Sequence, residues 1–242
     1  MAGRGEGTES GQASIEAALT LPLTIFLVLG TVQLFLMLQG RLLAEYAVFR
    51  ATRAGSINQA DCRVMTHAAV AALLPAIART DSPDPLAAAF RARGDNRYAA
   101  SLDRRNGPIV WLVSRLDREL GPDIQETFDD RHRGDARAEL QLDLIFWFPL
   151  KIPFADWVMS RMFLAYWGLR AYDAANPLLP AEANAGWGDE GRRLQSARVA
   201  AELSHRTALG QLVVPIHASF RMRMMTPALQ RGQRCPNSPE DL

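Results

Sequence analysis

An uncharged run of 22 residues near the N-terminus constrains this chain more than any other feature. It extends from Ala17 to Leu38 and contains no Asp, Glu, Lys or Arg. As an α-helix the run would be ~33 Å long, which matches the hydrocarbon core of a bilayer. Buried helices of soluble proteins rarely continue so far without a charge. The run therefore predicts one membrane-spanning helix, with Pro22 in its first turns.

The run differs from a cleaved secretory signal in its length and in the residues after it. Such signals have an apolar core of about 7–15 residues and then a small-x-small cleavage site. The segment after Leu38, QGRLLAEYAVFRA, contains no Ala-x-Ala. We therefore expect the helix to stay attached and to continue as an amphipathic stretch to about Ala54, with Gly55 as its stop.

A carboxylate stands at the start of the apolar run, and a Gly-Gln pair precedes it. A charge at the end of a membrane helix usually has a partner once it is drawn into the bilayer. If the chain were cut after Gly11, Gln12 would carry the new N-terminal ammonium and Glu16 would be the fifth residue. When such helices stack side by side, the carboxylate of one subunit could pair with the ammonium of a neighbour. That pair would also set the axial register.

This N-terminal pattern resembles the processing site of type IV pilin-like proteins and, more narrowly, the TadE-like pseudopilins of the tight-adherence (Tad/Flp) pilus system. The similarity covers roughly residues 11–57. Its elements are Gly11 with Glu16 five residues on, Ala13, the Leu21-Pro22 pair, and the Arg53-Ala54-Gly55 end of an Ala-rich helix. The short major Flp pilins usually carry Tyr after the glutamate. Here Ala17 follows and the chain is long, which favours a minor pseudopilin.

The resemblance implies a division of the chain into three parts. Residues 1–11 would be a leader removed by a prepilin peptidase, and residues 12–57 the transmembrane and amphipathic helix. Residues 58–242 would form an α+β head in the periplasm with a polar C-terminal tail. The protein would be a single-pass protein of the bacterial inner membrane. Its partners would be sister pseudopilins and the pilus assembly machinery.

The charges around the run do not by themselves support this orientation. The leader has one basic residue, Arg4, against Glu6 and Glu9, whereas three arginines follow the run by position 53. The positive-inside rule therefore gives no support for an N-terminus in the cytoplasm. The expected orientation, with the head outside the cytoplasm, comes from the resemblance.

The rest of the chain carries mixed helix and strand signals, so the expected fold class is α+β. Alternating apolar residues predict two strands of a short antiparallel sheet, and AAVAALLPAIA indicates a second helix. The remaining stretches divide into helices and connections. The expected helices are 59–79, 108–120, the segment after Pro153, and 192–206; the strands are 139–148 and 213–225; the connections are 80–97, 121–137 and 176–191; the polar tail is 230–242.

Two cysteines, Cys62 and Cys235, lie far apart in the sequence. They fit no zinc-site spacing. In an oxidising compartment they could form one disulfide, and in a reducing one they would be two unpaired thiols. Both possibilities are open from the sequence.

Composition and motifs point away from catalysis and nucleic-acid binding. The formal net charge is +1, and the four histidines show no metal-ligand spacing such as HExxH. There is no GxSxG, no phosphate-binding Gly-rich loop and no CxxC. Asp129 and Asp130 fit a solvated loop better than a cation site. We therefore expect no enzyme, no cofactor and no metal.

Three further alternatives stay open. The chain could instead be an uncleaved bitopic envelope protein whose head binds a ligand or partner. In the head, Trp157, Tyr166 and Trp167 fit either ordinary core or a membrane interface, with core as the expectation. Arg221 and Arg223 fit either a solvated sheet face or a partner-binding stripe, with the solvated face as the expectation.

Overall fold

The chain folds as one long helix followed by a small α+β domain. This computed structural model describes residues 9–98, 107–116, 139–167 and 197–226, together with residues 228, 235, 238 and 239. The elements are α1 (Glu9–Ile57), α2 (Cys62–Ile77), α3 (Pro83–Arg93), β1 (Val110–Leu116), β2 (Glu139–Pro149), α4 (Ala155–Tyr166), α5 (Ala197–Ala208) and β3 (Val213–Arg223).

Helix α1 is continuous over 49 residues, which confirms the expected extension beyond the apolar run, but its end is shifted from Gly55 to Ile57. At about 1.5 Å per residue it is ~73 Å long. Pro22 lies inside the helix and does not end it. The second half of α1 packs along the head through small side chains, because Ala44, Ala47 and Ala51 are fully buried. Small residues let the helix approach the sheet closely.

The three strands form an antiparallel sheet in the order β1-β2-β3. One face of β2, with Leu140, Leu142, Leu144, Phe146 and Phe148, packs against α1 and α2 in the main core. The opposite face contributes Ile145 and Trp147 to a second core with α4 and α5. The sheet is therefore the middle of three layers, which explains why the far end of β2 is apolar on both faces.

Two sequence-based expectations are wrong. Residues 108–120 were expected to form a helix, but Val110–Leu116 form strand β1. Pairing with β2 favours a strand over a helix here. Val110 lies opposite Phe146 and Leu112 opposite Leu144, and the side chains of Val110 and Leu112 therefore enter the main core. Residues 80–97 were expected to be a connection, but Pro83–Arg93 form α3. Its only buried residue is Ala89, so apolar periodicity gave little sign of it.

The other expected elements are present with shifted ends. Helices α2, α4 and α5 and strands β2 and β3 occupy the predicted segments. The expected loops 121–137 and 176–191 lie outside the described residues, as do Asp129, Asp130 and most of the polar tail.

Helix α1 packs closely against the sheet at Gly40. A Cβ placed there would stand 2.6 Å from Cδ2 and 2.7 Å from Cε2 of Phe148, a ring that is 2% exposed. Because this ring is held in the core, Gly40→Ala is expected to lower the free energy of unfolding by about 1–3 kcal/mol. Gly30 in the same helix is the matched control, since nothing lies within 4 Å of its Cβ position.

Urea unfolding of the full chain in detergent micelles measures both variants. Gly30→Ala should be neutral or stabilising by up to about 1 kcal/mol, because alanine favours the helix over glycine. Equal effects of the two substitutions would contradict the close packing of α1 on the sheet at Gly40.

Candidate functional site

Most of the N-terminal half of α1 is exposed and makes few contacts with the rest of the described protein. Within the described residues it is the one helix long and apolar enough to cross a membrane, and only 6% of its apolar window is buried. A core helix of a soluble protein would be mostly buried instead. The exposed large side chains on this half are Ile15, Leu19, Leu21, Leu23, Ile25, Leu27, Val28, Val32, Leu34, Phe35 and Leu38. This surface suits lipid or neighbouring apolar helices.

The threonine side chains on this half form hydrogen bonds within the helix itself. Thr20, Thr24 and Thr31 each donate a hydroxyl hydrogen bond of 2.8–2.9 Å to the backbone carbonyl four residues before. Such back-bonding leaves no threonine hydroxyl without an acceptor in an environment that lacks water. The threonines therefore do not interrupt the apolar surface.

Glu16 is exposed on α1 at the N-terminal end of this surface. Its carboxylate forms no ion pair with any side chain in the part of the chain that the structure describes, although its backbone carbonyl accepts from Thr20. Gly11 and Gln12 lie in the first turns of the same helix, which begins at Glu9. Positions 12 and 16 are four residues apart and thus lie on one face of α1. A charge in this position can serve a partner outside the single chain.

The head contacts α1 within the uncharged run, at a residue that the sequence did not single out. The Gln33 side chain is fully buried, and its Oε1 accepts from the backbone N–H groups of Lys151 and Ile152 at 3.0 and 2.9 Å. The segment between β2 and α4 is thus fixed to the helix. The signal in the sequence was an amide side chain within an otherwise apolar run.

A second contact lies further towards the N-terminus of α1. The rings of Phe26 and Phe154 meet edge to face with centroids 5.8 Å apart. Phe154 directly precedes α4, so the start of that helix lies beside the apolar half of α1. The head therefore extends along α1 towards its N-terminus as far as Phe26.

The structure brings the two distant cysteines together. Cys62, the first residue of α2, is paired with Cys235 in a disulfide, and their Cα atoms are 5.1 Å apart, within the range of such bonds. The tail is also held at Ser238, whose hydroxyl accepts from the Leu112 N–H on strand β1. Ser238 thus satisfies a backbone N–H on the outer edge of strand β1.

One buried arginine links helix α5 to the sheet. Arg206 on α5 is buried, bonds Glu202 at 2.6 Å, and lies over the Trp147 ring at 4.4 Å. Burial lowers the pKa of Arg206, and the hydrogen bond and charge of Glu202 oppose this change.

Arg221 and Arg223 are exposed and lie near Glu139, as on a solvated sheet face. Among the described residues no group of three or more His, Cys, Asp or Glu could hold a metal ion.

Comparison with known proteins agrees with the N-terminal half of this description. None of the curated proteins and none of the solved structures matches the chain. The part of the chain that does match a known family is the membrane-type helix, and the match supports an N-terminal anchor and involvement in Tad pilus assembly. Residues 11–53 match the family model described as TadE-like protein, which confirms the resemblance drawn from Gly11, Glu16 and the Leu21-Pro22 pair.

Proposed function

We propose that this chain is a membrane-anchored minor pseudopilin that takes part in assembly of a Tad/Flp-type pilus or a related secretion filament. The observation that carries the proposal is the exposed apolar half of α1, which bears Glu16 near its start and lies within the matched residues 11–53. A prepilin peptidase removes residues 1–11, and residues 12–57 remain in the inner membrane. The head, residues 58–242, stands in the periplasm.

The proposed mechanism is structural. Cleavage after Gly11 creates an ammonium group on Gln12, at the N-terminus of a helix whose dipole already makes that end positive. In lipid this group and Glu16 both need counter-charges, because an unpaired charge in a bilayer is costly. Pairing Glu16 of one subunit with the Gln12 ammonium of the next satisfies both. The heads then meet the heads of sister pseudopilins in a fixed register.

The Cys62–Cys235 pair fits this placement. A disulfide persists in an oxidising compartment such as the periplasm and is rare in the cytosol. Its closure is therefore part of the proposal that the head lies outside the cytoplasm.

An uncleaved bitopic protein that binds a ligand is the second candidate. Two observations favour it: the acidic residues Glu6 and Glu9 in the leader, and a cavity in the head lined by residues including Arg63, His67 and Arg97. The two candidates share the membrane helix and differ in the requirement for cleavage at Gly11.

The leader offers a sharp test of the difference. Gly11→Val should block removal of the leader by a co-expressed prepilin peptidase, because the cleavage pocket would have to accept a branched side chain in place of a hydrogen atom. Gly3→Val is the matched control, since it makes the same change eight residues away in the leader. When the peptidase is co-expressed, the band of the Gly3→Val control on a denaturing gel should move to a lower apparent mass, by the mass of 11 residues. The band of Gly11→Val should keep the mass that it has without the peptidase.

Piliation of the host is the second readout. The Gly3→Val chain should restore pili to a strain that lacks this protein, and the Gly11→Val chain should not. Full piliation with an uncut Gly11→Val chain would favour the uncleaved bitopic protein.

A further inference from the structure

We propose that residues 151–167, which we call the α4 foot, insert into the membrane leaflet on the side of the head, next to α1. The foot comprises the turn after β2 and helix α4. The proposal rests on α1 crossing a membrane and not on pilus assembly. In this proposal, lipid contacts the outward surface of the foot.

The depth of the foot follows from its contact with α1. Phe154 meets Phe26 at 5.8 Å. If the hydrocarbon core begins at Gln12, about 20 residues place its outer boundary near Thr31, and Phe26 lies ~8 Å inside it. Phe154 then lies at the level of the acyl chains, in the leaflet on the side of the head.

The outward face of the foot has the composition that this depth requires. Phe154 is 54% exposed, Trp157 51% and Met162 60%, whereas Ala155, Met159 and Leu164 on the inward face are buried. Apart from Arg161 this outward face is apolar, and a helix with apolar residues on both faces belongs in a core or in lipid. The outward residues follow helical spacing, and the first of them meets Phe26 of α1: Phe154, Trp157, Val158, Arg161, Met162 and Ala165.

The charged groups of the foot suit a membrane boundary. The Arg161 guanidinium lies 4.4 Å from the centroid of the Trp157 ring. Tryptophan and arginine both favour the headgroup region, where the ring stays partly apolar and the long side chain reaches water. Asp156 is occupied locally, because its Oδ1 accepts from the Trp157 N–H at 2.6 Å. Lys151 at the upper end of the foot donates to the Ala76 carbonyl.

The backbone at Phe154 gives a separate indication. Its φ is 71°, in the left-handed region that a bulky residue rarely adopts. Strained residues of this kind cluster at functional positions. Here the strained turn directs a large ring towards Phe26 and leaves 54% of it exposed, a placement that water would disfavour and lipid would stabilise.

Tryptophan quenching in vesicles tests the proposal on the full chain. The protein is reconstituted into vesicles of phosphatidylcholine and phosphatidylglycerol, with and without bromine on the acyl chains, and its emission is compared with that of Trp157→Phe. The difference isolates Trp157 from the other tryptophans. Trp111→Phe is the matched control, because Trp111 is 8% exposed in the second core, where it contacts Trp147.

We expect brominated lipid to quench the wild-type protein, Trp157→Phe to lose the larger part of that quenching, and Trp111→Phe to keep it. If acrylamide in the water quenches Trp157 and brominated lipid does not, the foot lies outside the membrane and the proposal is wrong. If neither agent quenches Trp157, protein covers the foot, either a second copy or another segment of this chain, and the proposal is also wrong.

Discussion

Replacing Cys62 with serine is expected to lower the free energy of unfolding of the head by about 2–5 kcal/mol. The bond joins residues 173 apart in the sequence, and closing so long a loop removes much of the entropy of the unfolded chain. Chain entropy alone gives about 5 kcal/mol for a loop of this length, which is an upper limit. The change also removes the covalent link that holds Ser238 close to the Leu112 N–H on β1.

Unfolding by urea without reductant, in detergent micelles, measures this effect. Cys235→Ser and the double variant should lose as much stability as Cys62→Ser, because either substitution already removes the whole bond. Wild-type protein treated with reductant should show a similar loss. If reductant leaves its unfolding midpoint unchanged, or if the two single losses add in the double variant, the disulfide account is wrong.

Replacing Glu16 with alanine is expected to leave membrane insertion unchanged and to abolish or severely reduce pilus assembly. Insertion depends on the apolar surface of α1, which this change does not reduce. Assembly under our proposal requires a carboxylate for each Gln12 ammonium, and without it that charge stays unpaired in the bilayer. Because the lost pair is buried between subunits, the effect should be near complete rather than partial.

Two further variants separate charge from shape and from general effects on α1. Glu16→Gln keeps the size of the side chain and removes its charge, so it should fail as Glu16→Ala does. Glu45→Gln removes an exposed carboxylate from the same helix, one that pairs with Arg41 at its surface, and should assemble normally. Normal pili with Glu16→Ala, at normal membrane levels of the protein, would remove this role of Glu16.

The sequence predicted the parts of this fold in which a local pattern and the tertiary environment agree. The uncharged run indicated α1, and the alternation from Leu140 to Phe148 indicated β2, because one face of that strand enters the main core. Strand β1 was missed because its apolar residues also fit a short helix. Its β-branched residues, Val110 and Val113, were the available signal. Only pairing with β2 decides between the two.

Helix α3 was missed for a different reason. It is mostly exposed, so it lacks an apolar stripe, but Ser82 and Pro83 form an N-terminal boundary that could have been recognised. The separation of 173 residues carries no information on geometry for Cys62 and Cys235, so the sequence left their pairing open. The α4 foot depends on the meeting of Phe26 and Phe154, which are distant in sequence and carry no shared motif.

The N-terminal residue of the protein in its own host tests the central claim most directly. The protein is recovered from host membranes in which the prepilin peptidase is present, and its N-terminal peptide is identified by mass spectrometry. Our account predicts a chain that begins at Gln12, with the ammonium that Glu16 of a neighbour requires. A chain that begins at Met1 or Ala2 would contradict it and would leave Glu16 as an ordinary residue of the headgroup region.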